Sequence, residues 1–206
     1  MQDTKLRLIK ASIMLFALND IESVSIVKIN EAAQVNNKSA IYYHFESKWG
    51  LAEAAIHYVM DAYVEEATAR LAKLDPTEVS VEQVVDAMMK PMVRVLLSED
   101  GYYMLKFFSR MISAGDRGRR LIAKILTPIS NEAVALLKIA LPESSDDAIS
   151  MKVLFSFNSM INIMSDGGLE RFWPTRVQDH KEIGLYIRDY IVGGILYKPD
   201  ASYRSQ

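Results

Sequence analysis

"VNNKSAIYYHFESKWGL", residues 35–51, decides the fold. Two asparagines, a lysine and a serine lead into four consecutive aromatic rings, Tyr42, Tyr43, His44 and Phe45, and Ser47 then opens a new helical pattern. Read as helical over 36–45, the segment puts Ile41 and Phe45 one turn apart on an inward face. Asn36, Ser39, Ala40 and Tyr43 fall at i, i+3, i+4 and i+7 on the other side. Two tyrosines and a histidine side by side cannot all turn inward from so short a helix, so some of these rings are expected at the surface.

Working outward, the preceding residues supply the rest of a helix-turn-helix. Leu6, Ile9, Ile13 and Phe16 follow helical spacing over about 3–19. Asn19-Asp20 breaks that helix, and Ser25 caps a short second one over about 26–33. Two short helices and a tight turn, braced by a longer helix, can present the second helix to a DNA major groove. Asn36, Ser39 and Ala40 are suited to base edges: Asn to adenine, Ser to several edges, Ala to a thymine methyl. Lys28, Asn37, Lys38, Tyr42, Tyr43, His44 and Lys48 complete the expected DNA surface. The tyrosines, the histidine and the lysines would reach phosphates, which fix register without reading sequence.

"LIKASIMLF" at 8–16, "VKINEAAQV" at 27–35 and "SAIYYHFESKWGLAEAAI" at 39–56 resemble the DNA-binding domain of TetR-family transcriptional regulators. Ile41, Tyr42, His44, Phe45, Ser47, Lys48 and Leu51 stand at that family's signature positions. The resemblance implies a homodimer on a pseudo-palindromic double-stranded operator, one reading helix per half-site, and repression relieved by a small effector. Two departures stand out. The Val35-to-His44 spacing is one residue longer than the commonest form. The turn also lacks its usual glycine, so Asn36 or Asn37 is expected to take the left-handed conformation there.

The remaining chain reads as all-α, about nine helices in total: 48–73, from 81, 101–114, 117–140, 146–165 and 180–197 after the first three. Ser47 is a cap, Ser80 and Gln83 have capping-box spacing, and Pro91 is expected to kink or split its helix. Gly193-Gly194, inside an apolar run, reads either as a helix end or as the close approach of a symmetry-related helix. The expected division is a helix-turn-helix domain over 1–50 and a ligand-binding and dimerisation domain over 51–206. The latter is rich in Met and aromatic residues, which suit adaptable apolar cavities. Tyr58, Tyr63, Met88, Met92, Tyr103, Phe107, Phe108, Arg110, Met111, Phe155, Asn158 and Asn162 are the candidate pocket residues. The resemblance implies that such a cavity lies between the fourth and eighth helices. "MLKFFSRMISAGDRGRRLIAKIL" with "SFNSMINIMSDG" resembles acyl-responsive members and implies a fatty-acyl-like effector, with planar aromatic or cationic compounds as the alternative. Phe157, Met160, Met164, Ile187, Ile191 and Gly194, on the last two helices, are the candidate dimer interface. "GDRGRR" at 115–120 reads as a solvated basic loop.

Composition narrows the classes further. Of 206 residues half are apolar, net charge is −2, and there is no cysteine, which removes disulfides, thiol nucleophiles and Cys-type zinc sites. Residues 1–50 carry six Lys/Arg and five Asp/Glu, the rest 18 and 21, so charge alone does not single out a nucleic-acid face. The three histidines, 44, 57 and 180, lack metal-ligand spacing, and neither a phosphate loop nor a serine elbow occurs. No catalytic residue, metal ligand or cofactor is expected. The charged start lacks a signal-peptide apolar region. The longest uncharged apolar-rich run, 153–165, is shorter than the roughly 20 residues of a membrane span. The expectation is a cytoplasmic protein that is not an enzyme. A helical ligand-binding protein without DNA function is the alternative, but it leaves the Tyr42-to-Lys48 cluster unexplained.

Overall fold

The computed structural model describes residues 2–165, 172–175 and 183–198. Within them the protein is helical throughout: α1 Gln2–Leu18, a 3₁₀ turn Ile21–Ser23, α2 Ile26–Ala32, α3 Ala40–Phe45, α4 Lys48–Leu71, α5 Val81–Leu96, α6 Gly101–Ser113, α7 Gly115–Ala140, α8 Asp146–Ser165 and α9 Ile183–Leu196. Residues 180–182 of the last expected helix, with His180, lie outside the described residues.

Local signals set most boundaries. The Ser25 hydroxyl accepts from the Lys28 N–H at 3.2 Å and opens α2. The Ser47 hydroxyl accepts from the Gly50 N–H at 2.9 Å and opens α4. Ser80 and Gln83 form the reciprocal capping box of α5, at 2.9 and 3.3 Å. Pro91 stands inside a continuous α5, so it does not split that helix, and of the two readings of Gly193-Gly194 the helix end is set aside, because α9 runs on to Leu196. Pro91 is buried, so the packing of α5 holds the helix across the hydrogen bond that proline cannot make.

One continuous core joins the two expected domains. Leu8, Ile13 and Phe16 of α1, Ile29 of α2 and Ile41 of α3 are fully or almost fully buried, as are Leu51, Ile56, Met60 and Tyr63 of α4. α6 lies under α1, with the Phe16 and Phe107 rings 5.8 Å apart. α4 is enclosed by α1, α5 and α7, and α9 closes the far side against α5 and α8. Arg188 of α9 donates to Asp86 of α5 at 2.6 Å. No helix among the described residues is long and apolar enough to cross a membrane.

Candidate nucleic-acid interface and regulatory cavity

The reading head differs from the sequence expectation in its first half. Residues 36–39 are not helical, and α3 begins only at Ala40. The cause is local: the Asn37 side-chain oxygen accepts from the Ser39 N–H at 2.9 Å. This Asx turn competes with helix formation. Gln34, not an asparagine, takes the left-handed conformation at φ 53°. Arg7 of α1 holds that turn, its guanidinium donating to the carbonyls of Ala33 and Gln34 at 3.3 and 3.2 Å. Asn30 closes the turn from below, its backbone carbonyl accepting from Val35 at 2.8 Å.

The result is an exposed tip, Asn36-Asn37-Lys38-Ser39, followed by one and a half turns of helix. Tyr42 and Tyr43 project from that helix, Tyr43 being 69% exposed. The half-exposed His44 ring meets the Tyr43 ring edge-on at 4.9 Å. Lys28 and Lys38 are exposed. Ser39 makes no side-chain cap on α3, which leaves its hydroxyl available. Thr4, Arg7, residues 34–37, Tyr43 and His44 line a shallow concavity beside the tip.

Two expected DNA residues point elsewhere. Ala40 is only 3% exposed, so its methyl packs inward instead of facing a thymine. Lys48 donates to the backbone carbonyls of Glu22 and Val24 at 2.8 and 3.2 Å, and faces the Glu22 carboxylate at 3.4 Å. Its side chain is 18% exposed, so in this structure it ties α4 to the start of α2 instead of reaching out. Glu22 also accepts from the Trp49 indole N–H at 2.7 Å. Chiefly that bond holds the Glu22 carboxyl below its ordinary range; slight burial opposes it, and Lys48 and Arg117 add to it. Arg7, Glu22 and Asn30 help shape the head and were not singled out from sequence. Most of their partners lie 24–27 residues away, where no spacing rule reaches.

The candidate pocket residues separate into four groups. Tyr63, Met88, Met92, Phe107, Phe108 and Met111 are core. Beside Met88, between α5, α8 and α9, lies a small void of about 10 Å³, lined by Val85, Met88, Met89, Ser156, Phe157, Met160 and Ile191. Tyr58 and Phe155 are exposed, Tyr103 is half-buried, and Asn162 donates to the Asn158 carbonyl at 2.8 Å from an exposed position. Arg110 pairs with Asp20 of the DNA head at 3.7 Å. Asn158 alone of the candidates lines a large cleft, about 850 Å³, between α7 and α8. Ile122, Leu126, Val153 and Phe157 form much of its apolar wall; Arg119 and Lys138 stand at its ends, and no carboxylate among the described residues lines it. α4 contributes nothing to that wall, so this cleft is not the cavity expected between the fourth and eighth helices.

Five of the six dimer candidates turn into the protomer. Phe157, Met160, Met164, Ile187 and Ile191 are buried within the protomer. The apolar side chains left open on α8 and α9 include Met151, Leu154, Phe155, Ile163, Leu185 and Tyr190, with Phe155 57% exposed. Gly194 does lie on this open side, with nothing within 4 Å of where a Cβ would stand. Both helices are apolar on more than one face, so periodicity could not say which face turned inward. Among the described residues no cluster of His, Cys, Asp or Glu could hold a metal ion.

Known proteins share this architecture. A Clostridium perfringens protein described as a fatty acid metabolism regulator superposes with a TM-score of 0.65 at 20% identity, covering 93% of this chain and 100% of that one. The TetR family transcriptional regulator PfmR from Thermus thermophilus gives 0.62 at 16%, covering 93% and 100%. AmtR of Mycobacterium smegmatis gives 0.62 at 14%, covering 94% and 86%. At these identities the likeness speaks for the fold. No curated protein matches the chain. Residues 8–55 match the family model of bacterial regulatory proteins, tetR family, and residues 86–194 match that of the tetracyclin repressor-like C-terminal domain. With its reading head and its larger helical domain both matched, the chain belongs to the TetR family of transcriptional regulators.

Proposed function

We propose that this regulator binds a pseudo-palindromic operator as a homodimer in the cytoplasm and releases it when a small apolar effector binds. The exposed tip at 36–39 supports this most directly. Asn36 and Ser39 present short polar groups beyond the body of the head, and Tyr42, Tyr43, His44, Lys28 and Lys38 flank them for the phosphates. Asn37 shapes the tip through its Asx turn. Dimerisation uses the open α8/α9 face, an isologous patch whose exposed rings and aliphatic groups leave water on pairing.

The effector is a fatty-acyl-like molecule, with aromatic compounds as the alternative, and the α7/α8 cleft receives it. Apolar walls and no lining carboxylate among the described residues suit a long apolar chain better than a cation, and an acidic head would take Arg119 or Lys138 from its present partner, Asp116 at 3.5 Å or Asp146 at 2.6 Å. The Clostridium perfringens neighbour's description points the same way. Operator duplexes selected from a random pool, titrated with fatty acids of increasing chain length, test the reading. A steep salt dependence and chain-length-dependent release are expected. Retention of random and selected duplexes alike, at every salt concentration, would refute sequence-specific regulation.

A further inference from the structure

α4 does not line the cleft, so a signal from the cleft needs another route to the head. The corner between α6 and α7 provides one, in the stretch "GDRGRR" that reads from sequence as a solvated loop. Arg110, in the last turn of α6, pairs with Asp20 of the head. Arg117, in the first turn of α7, lays its guanidinium over the Trp49 ring, 4.7 Å from the centroid. Trp49 holds Glu22, Glu22 pairs with Lys48, and Lys48 holds the carbonyls of Glu22 and Val24 that lead into α2. A continuous chain of contacts thus runs from α7 to the backbone that carries the turn and the tip.

The corner is stiff. Gly115 makes it at φ +79°, a conformation that suits glycine. Gly118 then rests directly on the Met111 carbonyl, where a Cβ would lie 2.0 Å from the oxygen. The end of α6 and the start of α7 are therefore in backbone contact and move together, carrying Arg110 and Arg117 with them. The same corner closes one end of the cleft, because Ile112 and Arg119 line it.

We infer that Arg117 is a positioning residue for the DNA-reading head, and that the α6–α7 corner carries occupancy of the α7/α8 cleft to that head through Trp49. The inference rests on the effector-responsive reading above. It commits to a residue 68 positions along the chain from Trp49 as part of the recognition machinery.

The test needs no identified effector. The chain has no cysteine and two tryptophans. Trp173→Phe leaves Trp49 as the only indole, and Ala123→Cys on the cleft wall can be alkylated with dodecyl maleimide to fill the cleft. Alkylation is expected to shift Trp49 emission and to weaken binding to a selected operator. Adding Arg117→Ala should abolish the emission shift. It should also shrink the loss of operator affinity by about two- to fivefold, the range a partly exposed cation–π contact can carry; Arg117→Lys should restore part of both. If alkylated Ala123→Cys loses its helical circular dichroism, Ser130→Cys, on the same wall, carries the label instead. An unchanged emission shift or an unchanged affinity loss in Arg117→Ala overturns the relay. If the emission shift depends on Arg117 but no duplex is retained at any salt concentration, the relay stands and the operator reading falls.

Discussion

Lys48→Ala separates two roles that one lysine cannot fill equally. If Lys48 grips a phosphate, its loss lowers operator affinity on all sequences and reduces the salt slope by about 0.9. It would leave stability nearly untouched. The structure points to the other outcome. The ammonium serves two backbone carbonyls and one carboxylate at 2.8, 3.2 and 3.4 Å. Charge-assisted hydrogen bonds contribute about 1.5–3 kcal/mol each when well buried. Glu22 is largely exposed, so its ion pair adds at most about 1 kcal/mol. Discounting for partial exposure, we expect a loss of about 2 kcal/mol. For a chain of this length that is a fall in Tm of about 4–8 °C. Thermal unfolding by circular dichroism, beside operator binding at several salt concentrations, measures both quantities. An unchanged Tm with a salt slope reduced by one phosphate would show that the staple contributes nothing and that Lys48 faces DNA.

Ser39→Ala is expected to change which bases are preferred, by about 1–3 kcal/mol at one position, while Tyr42→Phe weakens all duplexes similarly; selection from a random pool separates the two. Tyr63 is fully buried, its hydroxyl has no partner among the described residues, and burial pushes its phenol well up. Tyr63→Phe should therefore leave Tm unchanged or raise it, by up to about 1 kcal/mol of stability, and a marked fall would reveal a hidden partner. For Asp86, burial raises the carboxyl, but the hydrogen bonds from Arg188 and Lys90 outweigh it and hold it below the ordinary value of 3.8. A depressed carboxylate stabilises above its unfolded value and loses that contribution as pH falls through the folded one. Asp86→Asn should accordingly lower stability at neutral pH and flatten the acid limb below about pH 4, as read by urea unfolding across pH. Phe155→Lys should yield a folded monomer by light scattering, whereas Met160→Lys, on the opposite face of α8, should cost several kcal/mol and unfold the chain; a dimeric Phe155→Lys would place the interface elsewhere.

Short-range physics was legible without coordinates. Helical spacing, the Ser25, Ser47 and Ser80 caps and the inward pair Ile41 and Phe45 each depend on residues within one or two turns. The sequence by itself therefore determined an all-helical chain, the helix-turn-helix and the family signature. Tertiary structure decided what lay beyond that range. It chose which face of α8 turned inward, because Phe155 and Phe157 are equally apolar and only packing against neighbouring helices distinguishes them. It turned Lys48 toward Glu22 and Val24, Arg110 toward Asp20 and Arg117 onto Trp49. It also set the large cleft between α7 and α8, with no wall from α4. A side chain's partner is fixed by which helices cross and where, and that information is spread over the whole core. The tip at 36–39 is the exception within local physics: its Asx turn was open to inspection, but helical periodicity favoured extending α3 across it.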